Sequence, residues 1–258
     1  MDTTIPNPVK KALQERRPSF GGWIQLGHGG IAEILGRAGF DWVCADLEHG
    51  DFDPASLAAV FRALAGTGAV PLARVQQNET LHIRRALDMG AGGVIVPLVD
   101  DADAARRAVA AARYPPQGVR GFAYCRANAW GVDFDAYAAG ANREIAVVVM
   151  IESRAAVENI DAILSVDGVD GVLVGPYDMS GSYGVVGQTG HPLVQDACRR
   201  VSAACRAHGK SAGMHVVLPD EARIRAALDD GFTFLALGMD TVFLTAGAAQ
   251  ALARTGLR

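Results

Sequence analysis

Lysine is scarce in this chain: Lys10, Lys11 and Lys210 are the only three among 258 residues. The formal net charge is -4, so the basic field that a nucleic-acid binder needs is absent. No apolar run reaches the roughly 18 residues of a membrane helix. The first twenty residues, MDTTIPNPVKKALQERRPSF, have neither the apolar core nor the cleavage pattern of a secretory signal, which makes the cytoplasm the expected location. Cysteine is sparse too: Cys44, Cys125, Cys198 and Cys205 form no CxxC pair. Cys198 and Cys205 would lie about 10 Å apart along one helix, too far for a disulfide. All four are expected to be reduced and structural.

What is present is apolar material in short, regular pieces. Hydrophobic residues make up 50% of the chain and charged residues 20%, enough for one large core over residues 1–258. Eight strand-like runs are legible at 22–26, 42–48, 70–75, 93–99, 145–152, 171–176, 211–216 and 232–238. Amphipathic helical patterns separate them, one opening with Asp53 as N-cap and Pro54 in the first turn. Near-continuous apolar strands alternating with helices imply a parallel sheet, and eight such units predict a single-domain α/β fold, the (β/α)8 TIM barrel. An open doubly wound sheet is the alternative, but QLGHGG after the first strand matches its phosphate-binding fingerprint poorly. Residues 1–19 read as an N-terminal arm, and 115–143 as a long insertion, either a substrate loop or an interface, whose Phe122, Tyr124 and Trp130 need cover.

In such a barrel the chemistry sits where strands run into helices. Those ends carry Gln25 and His28; Asp46, Glu48 and His49; Arg74 and Gln76; Glu152; Asp178; His215; and Asp240. The opposite end is expected to show no such convergence. Glu152 and Asp178, on neighbouring strands, suit a hard divalent cation, or else Ser153 and Asp178 simply cap the following helices. Arg74 closes a buried strand and needs an anion, either substrate or an internal Asp46 or Glu48. Alternation puts Asp46 and Glu48 on one face. His49 reaches the mouth as an acid/base group only if the strand has already ended, a bend that Gly50 permits; otherwise it is a hydrogen-bonded surface residue. None of the three lysines falls at the mouth, which excludes a Schiff-base mechanism there and leaves a metal as the electron sink for carbanion chemistry.

The stretches AGFDWVCADLEHG, PLARV, LDMGAGGVIVPLV, RYPPQGVRG, VMIES and VDGVLVGPYDMSGSYG, in this order over about residues 20–245, resemble the HpcH/HpaI aldolase family of metal-dependent pyruvate aldolases. The resemblance implies a barrel whose last helix is exchanged between subunits of a hexamer, a trimer of dimers. It implies Mg²⁺, Mn²⁺ or Co²⁺ on Glu152 and Asp178, with Asp46 and Glu48 shaping its water shell. Arg74 would stabilise a pyruvate enolate, and His49 would be the base with Asp88 as dyad partner. Backbone around Gly175, Pro176, Tyr177 and Asp178 would receive the substrate carboxylate. Met150 stands where many pyruvate aldolases of the family have Gln, so a hydrogen-bonding group beside the 2-oxo acid is missing. Leu218, His28 and the insertion would set the aldehyde partner.

The resulting expectation is a reversible aldol cleavage of a 4-hydroxy-2-oxo acid to pyruvate, or hydroxypyruvate, and an aldehyde. The partners would be small molecules and copies of the same chain, with no nucleic acid and no membrane. The alternatives are a citrate-lyase-like enzyme acting on a CoA ester, for which no clustered basic groove is visible, and a non-catalytic barrel subunit.

Overall fold

The computed structural model describes residues 6–256; residues 1–5 of the expected N-terminal arm lie outside them. Eight parallel strands close into a barrel in sequence order: β1 (Ser19–Ile24), β2 (Trp42–Asp46), β3 (Val70–Arg74), β4 (Gly93–Val96), β5 (Ala146–Ile151), β6 (Gly171–Val174), β7 (Ser211–Val216) and β8 (Phe232–Leu237). The helices are α1 (Pro8–Glu15), α2 (Gly29–Arg37), α3 (Pro54–Leu64), α4 (Thr80–Asp88), α5 (Ala102–Ala112), α6 (Phe134–Glu144), α7 (Arg154–Glu158), α8 (Ile160–Leu164), α9 (Pro176–Ser182), α10 (Pro192–Ala207), α11 (Glu221–Asp229) and α12 (Asp240–Ala253). All eight expected strands are present, and most end one to three residues earlier than the apolar runs do. Two expectations change. Part of the arm is helix α1, capped by the Asn7 side chain. The 115–143 insertion is not a loop throughout, because it holds a 3-10 turn at Arg126–Gly131 and most of α6. No helix among the described residues is long and apolar enough to cross a membrane.

Alternation along the strands divides the core into two layers. One side of each strand packs under the helices. The other fills the barrel, with Trp23, Trp42, Cys44, Leu72, Ile95, Val148, Met150, Leu173 and Phe234 in contact, and Val9 and Leu13 of α1 closing the lower end. Trp42 stacks on Phe234 at 4.3 Å between ring centroids. Gly21 makes room for this stack, since a Cβ there would lie 2.1 Å from the Trp42 ring.

The lower end is not as bare of polar groups as the sequence suggests. Buried Lys10 donates to the Ile145 carbonyl at 2.8 Å and pairs with Asp170 at 3.1 Å. Asp170 also accepts the Val147 N–H, and buried Arg113 reaches the Ile145 carbonyl at 3.1 Å. Lys210 donates to the Val169 carbonyl. Polar residues therefore converge at both ends, and at this end cations meet carbonyls and a carboxylate that satisfy them. All four cysteines are buried and free.

Gly21→Ala is expected to disturb the Trp42–Phe234 stack and destabilise the fold by about 1–3 kcal/mol, the usual effect of overpacking. A thermal melt lowered by several degrees, with the far-ultraviolet spectrum retained, would register it.

Candidate active site at the barrel mouth

β2 ends on Asp46 and β3 on Arg74, and register sets the two side by side. Both point into the barrel. Asp46 is fully buried and takes two hydrogen bonds from one guanidinium, from Nε at 2.9 Å and Nη2 at 2.6 Å. Trp23, inward-facing on β1, donates its indole N–H to Asp46 at 3.1 Å and lies 5.2 Å beneath the guanidinium carbon. Burial works against the Asp46 charge, but the hydrogen bonds and charge of Arg74 prevail and keep the carboxyl below its usual range. Arg74 is likewise desolvated, yet Asp46 holds it above the ordinary arginine value. The remaining nitrogen, Nη1, pairs with Glu48 at 3.1 Å. The internal-anion reading of Arg74 is thus what the structure contains, and Asp46 and Glu48 lie on one side by meeting the same guanidinium, not by strand alternation.

The strand stops at Asp46, so Glu48 and His49 lie in a turn, and both of their N–H groups donate to Asp46 Oδ1 at 3.2 Å. Gly50 permits the turn by leaving space rather than by an unusual φ: a Cβ would meet the Asp46 carbonyl at 2.4 Å and that of Gln25 at 2.7 Å. The His49 side chain is 63% exposed at the rim, with its Nε2 4.0 Å from Glu48. Asp88 does not join it. That carboxylate ends α4, on the side where strands begin, and accepts a 2.8 Å bond from fully buried Arg120, which is itself stacked over Tyr114 and bonded to Tyr137. Within one chain the expected His49–Asp88 dyad is replaced by an Asp88–Arg120 pair that anchors the insertion.

Glu152 follows β5 and is 6% exposed. One of its oxygens accepts the Leu98 N–H at 2.7 Å. Leu98 has φ of 56°, a left-handed backbone seldom adopted by a branched residue. Gly175 beside it is obligatory, because a Cβ would lie 2.8 Å from Glu152 Cβ and 3.1 Å from its second oxygen. Ser153, not Glu152, caps α7, and Asp178 sits in the first turn of α9 without capping it. Both carboxylates are therefore free of the capping role. Burial raises the Glu152 carboxyl, as do the negative charges of Glu48 and Asp178. Glu48 is raised by burial and by Asp178, against the pull of Arg74. Four carboxylates thus gather here, and among the described residues one guanidinium, Arg74, is in ion-pair contact with them. No three His, Cys, Asp or Glu side chains among the described residues form a complete metal cage. Two carboxylates with excess negative charge still fit a hard cation that keeps several waters or substrate oxygens.

The other expected site residues take varied positions. The Gly175 N–H is spent on the Ile151 carbonyl and Pro176 has none, leaving the N–H groups of Tyr177 and Asp178 as the unpaired donors of the first turn of α9. Met150 is buried against the barrel core, one alternation below Glu152. Leu218 is exposed after β7, and its carbonyl accepts from Arg223. Asp240 is buried and spent on backbone, accepting the N–H groups of Gln25 and Leu26 at 3.0 and 2.9 Å. Sequence reasoning missed Trp23 and Leu98. The first is hidden in an apolar run, although its inward parity matches Asp46. The second acts through its backbone and leaves no side-chain signal.

Ionised Glu152 is strained in the folded chain, since its carboxyl is raised by burial and by like charge. That destabilisation is present above its folded pKa and relieved as pH falls through it. Glu152→Gln is therefore expected to raise the melting temperature of chelator-treated protein at neutral pH, by about 2–4 °C for each kcal/mol relieved, and to show none of the upward shift that Mn²⁺ is expected to give the unsubstituted chain. Differential scanning fluorimetry with and without Mn²⁺ measures both.

A sequence profile described as HpcH/HpaI aldolase/citrate lyase matches residues 19–246. The 5-keto-4-deoxy-D-glucarate aldolase of Salmonella arizonae is 41% identical over 252 residues, 97% of each chain. A crystal structure of an HpcH/HpaI aldolase/citrate lyase family protein from Burkholderia cenocepacia J2315 is 35% identical and superposes with a TM-score of 0.92, covering 96% of this chain and 99% of that one. The HpcH/HpaI aldolase from Desulfitobacterium hafniense DCB-2 is 30% identical with a TM-score of 0.88, covering 97% of both. With its closed barrel, its strand-end carboxylates and this match over most of its length, the chain belongs to the HpcH/HpaI aldolase/citrate lyase family.

Proposed function

We propose that the protein is a divalent-metal-dependent aldolase that reversibly cleaves a 4-hydroxy-2-oxo acid to pyruvate, or hydroxypyruvate, and an aldehyde. The observation that carries this reading is the surplus of carboxylate at the mouth, Asp46, Glu48, Glu152 and Asp178 around Arg74. Glu152 and Asp178 would hold Mg²⁺, Mn²⁺ or Co²⁺, with waters shaped by Asp46 and Glu48. When bound, the cation supplies a Lewis acid for the 2-oxo group.

The chain's own residues account for the remaining steps. The N–H groups of Tyr177 and Asp178 receive the substrate carboxylate, over the open backbone of Gly175 and Pro176. Asp46 fixes two nitrogens of Arg74, so the guanidinium stays charged and oriented. Its Nη1 then exchanges Glu48 for the oxygen on which enolate charge develops, an oxyanion-hole type of stabilisation. His49, held by its own N–H on Asp46, takes the C4 hydroxyl proton directly or through water as the C3–C4 bond breaks. Met150 and Leu218 supply apolar surface. A lysine imine has no support, because Lys10 and Lys210 are bonded at the opposite end and Lys11 is on α1.

The name of the Salmonella arizonae relative makes 5-keto-4-deoxy-D-glucarate the first substrate to test. A homo-oligomer, in the family manner a cytoplasmic hexamer with α12 exchanged, is supported by apolar surface left uncovered in one chain: Phe243, Leu244 and Leu252 on α12, and Phe122, Tyr124 and Trp130 on the insertion.

Chelation is expected to abolish cleavage of 5-keto-4-deoxy-D-glucarate and related 4-hydroxy-2-oxo acids, and added Mg²⁺ or Mn²⁺ to restore it, in a coupled assay for pyruvate. Full activity after exhaustive chelation, or covalent trapping by borohydride in the presence of pyruvate, would refute the metal-dependent reading. Arg74→Lys keeps the charge but loses the fork that grips Asp46 while facing substrate. It is expected to lower kcat by about 10²–10³, the usual effect of removing an oxyanion donor, with a smaller change in KM.

A further inference from the structure

One titratable side chain of the mouth has no part in the mechanism above. His215 lies on β7, and alternation from Gly213, whose Cβ position faces the Phe234 ring, turns it into the barrel. Register fixes its height. Ile151 pairs with Val174 and Val174 with Met214, so Glu152, Gly175 and His215 occupy one level on three successive strands. All three face inward, since Met150 and Leu173, two residues below the first two, belong to the barrel interior. Neighbouring strands lie about 4.8 Å apart, which puts Glu152 and His215 on either side of a gap whose floor is Gly175 and has no side chain.

The ring is held from the far side. Its Nε2 lies 3.0 Å from the Gly238 carbonyl. A carbonyl only accepts, so Nε2 carries the hydrogen and, in the neutral ring, Nδ1 carries the lone pair. Trp23 packs against the imidazole at 5.0 Å between centroids, on the indole that also lies under Arg74. Burial lowers the His215 pKa and the nearby Arg74 charge adds to this, prevailing over the Gly238 carbonyl and Asp46, which raise it; the balance favours the neutral ring. Among the described residues Nδ1 has no hydrogen-bond partner, yet it is not among their buried unpartnered atoms. It opens to the solvent of the mouth.

We propose that His215 is a specificity residue that accepts, through Nδ1, a hydrogen bond from a hydroxyl on the aldehyde-derived half of the substrate lying over Gly175, and so selects hydroxylated aldehydes over their deoxy counterparts. The carboxylates gathered at the mouth, Asp46, Glu48, Glu152 and Asp178, are assigned to the cation or to Arg74. A neutral acceptor recognises a hydroxyl without adding to the negative charge. The assignment rests on the aldolase reading and adds to it the residue that recognises a hydroxyl of the aldehyde.

The test is aldol addition of pyruvate to glycolaldehyde and to acetaldehyde, which differ by one hydroxyl, in the metal-supplemented enzyme. The unsubstituted chain is expected to prefer glycolaldehyde in kcat/KM. His215→Leu is expected to lower kcat/KM for glycolaldehyde about 10- to 100-fold, in line with a lost hydrogen bond to a desolvated group, and to leave acetaldehyde within about threefold. His215→Gln, which keeps an acceptor and a donor for Gly238, is expected to recover part of the preference. In the unsubstituted chain the ¹⁵N resonance of unprotonated Nδ1 should move upfield when glycolaldehyde binds and stay in place with acetaldehyde. Equal losses for both aldehydes, or an unchanged preference in His215→Leu, overturn the assignment while leaving the aldolase reading intact. An unsubstituted enzyme inactive toward both aldehydes and toward 4-hydroxy-2-oxo acids overturns the aldolase reading and this assignment with it.

Discussion

The bidentate pair between Asp46 and Arg74 is the constraint on which the mouth depends. A buried ion pair loses much of its Coulombic gain to desolvation, and it persists here because the remaining lone pairs are also used. The Trp23 indole and the N–H groups of Glu48 and His49 all converge on the same carboxylate. One side chain thereby fixes the guanidinium, the turn that carries His49 and the ring under both. Glu48 is the exchangeable member, because it meets Arg74 through a single nitrogen and is less buried than Asp46.

The two ends of the barrel differ in charge balance rather than in polarity. Below, Lys10, Arg113 and Lys210 lie among carbonyl oxygens and Asp170, and the network ties α1 to the strand starts. Above, negative charge exceeds positive charge in direct contact with it, and the excess is concentrated on Glu152 and Asp178. An apolar column, with Trp42 stacked on Phe234, separates the two. Family membership and this imbalance point the same way, toward a hard cation among the carboxylates.

Much of this was legible in the residues themselves. The strands were visible because buried parallel strands are continuous apolar runs, and their ends because polar residues interrupt those runs abruptly, as at Asp46, Arg74 and Glu152. Strand lengths were overread, since apolar residues such as Pro97, Leu98 and Val99 continue beyond the last ladder bond. The pairing of Asp88 was not legible: a carboxylate at a helix end bears no mark of whether its partner is His49 or a buried arginine in the insertion, and within one chain the partner is Arg120. The lower polar network escaped because Lys10 and Asp170 are 160 positions apart and neither stands in a recognisable motif. The lowered pKa of His215 comes from burial and the Arg74 charge, which prevail over the Gly238 carbonyl, and only the closed barrel brings these groups into contact.

Leu98 holds Glu152 through its peptide N–H, with its own side chain directed to solvent. Such an anchor is indifferent to what residue stands at position 98, provided it is not proline, whose ring nitrogen has no hydrogen to give. Glycine or asparagine there would even ease the left-handed backbone. The orientation of the buried carboxylate is thus insulated from most sequence drift at the loop that supports it, and that loop is left free to vary toward new substrates while the acid beneath it stays in place.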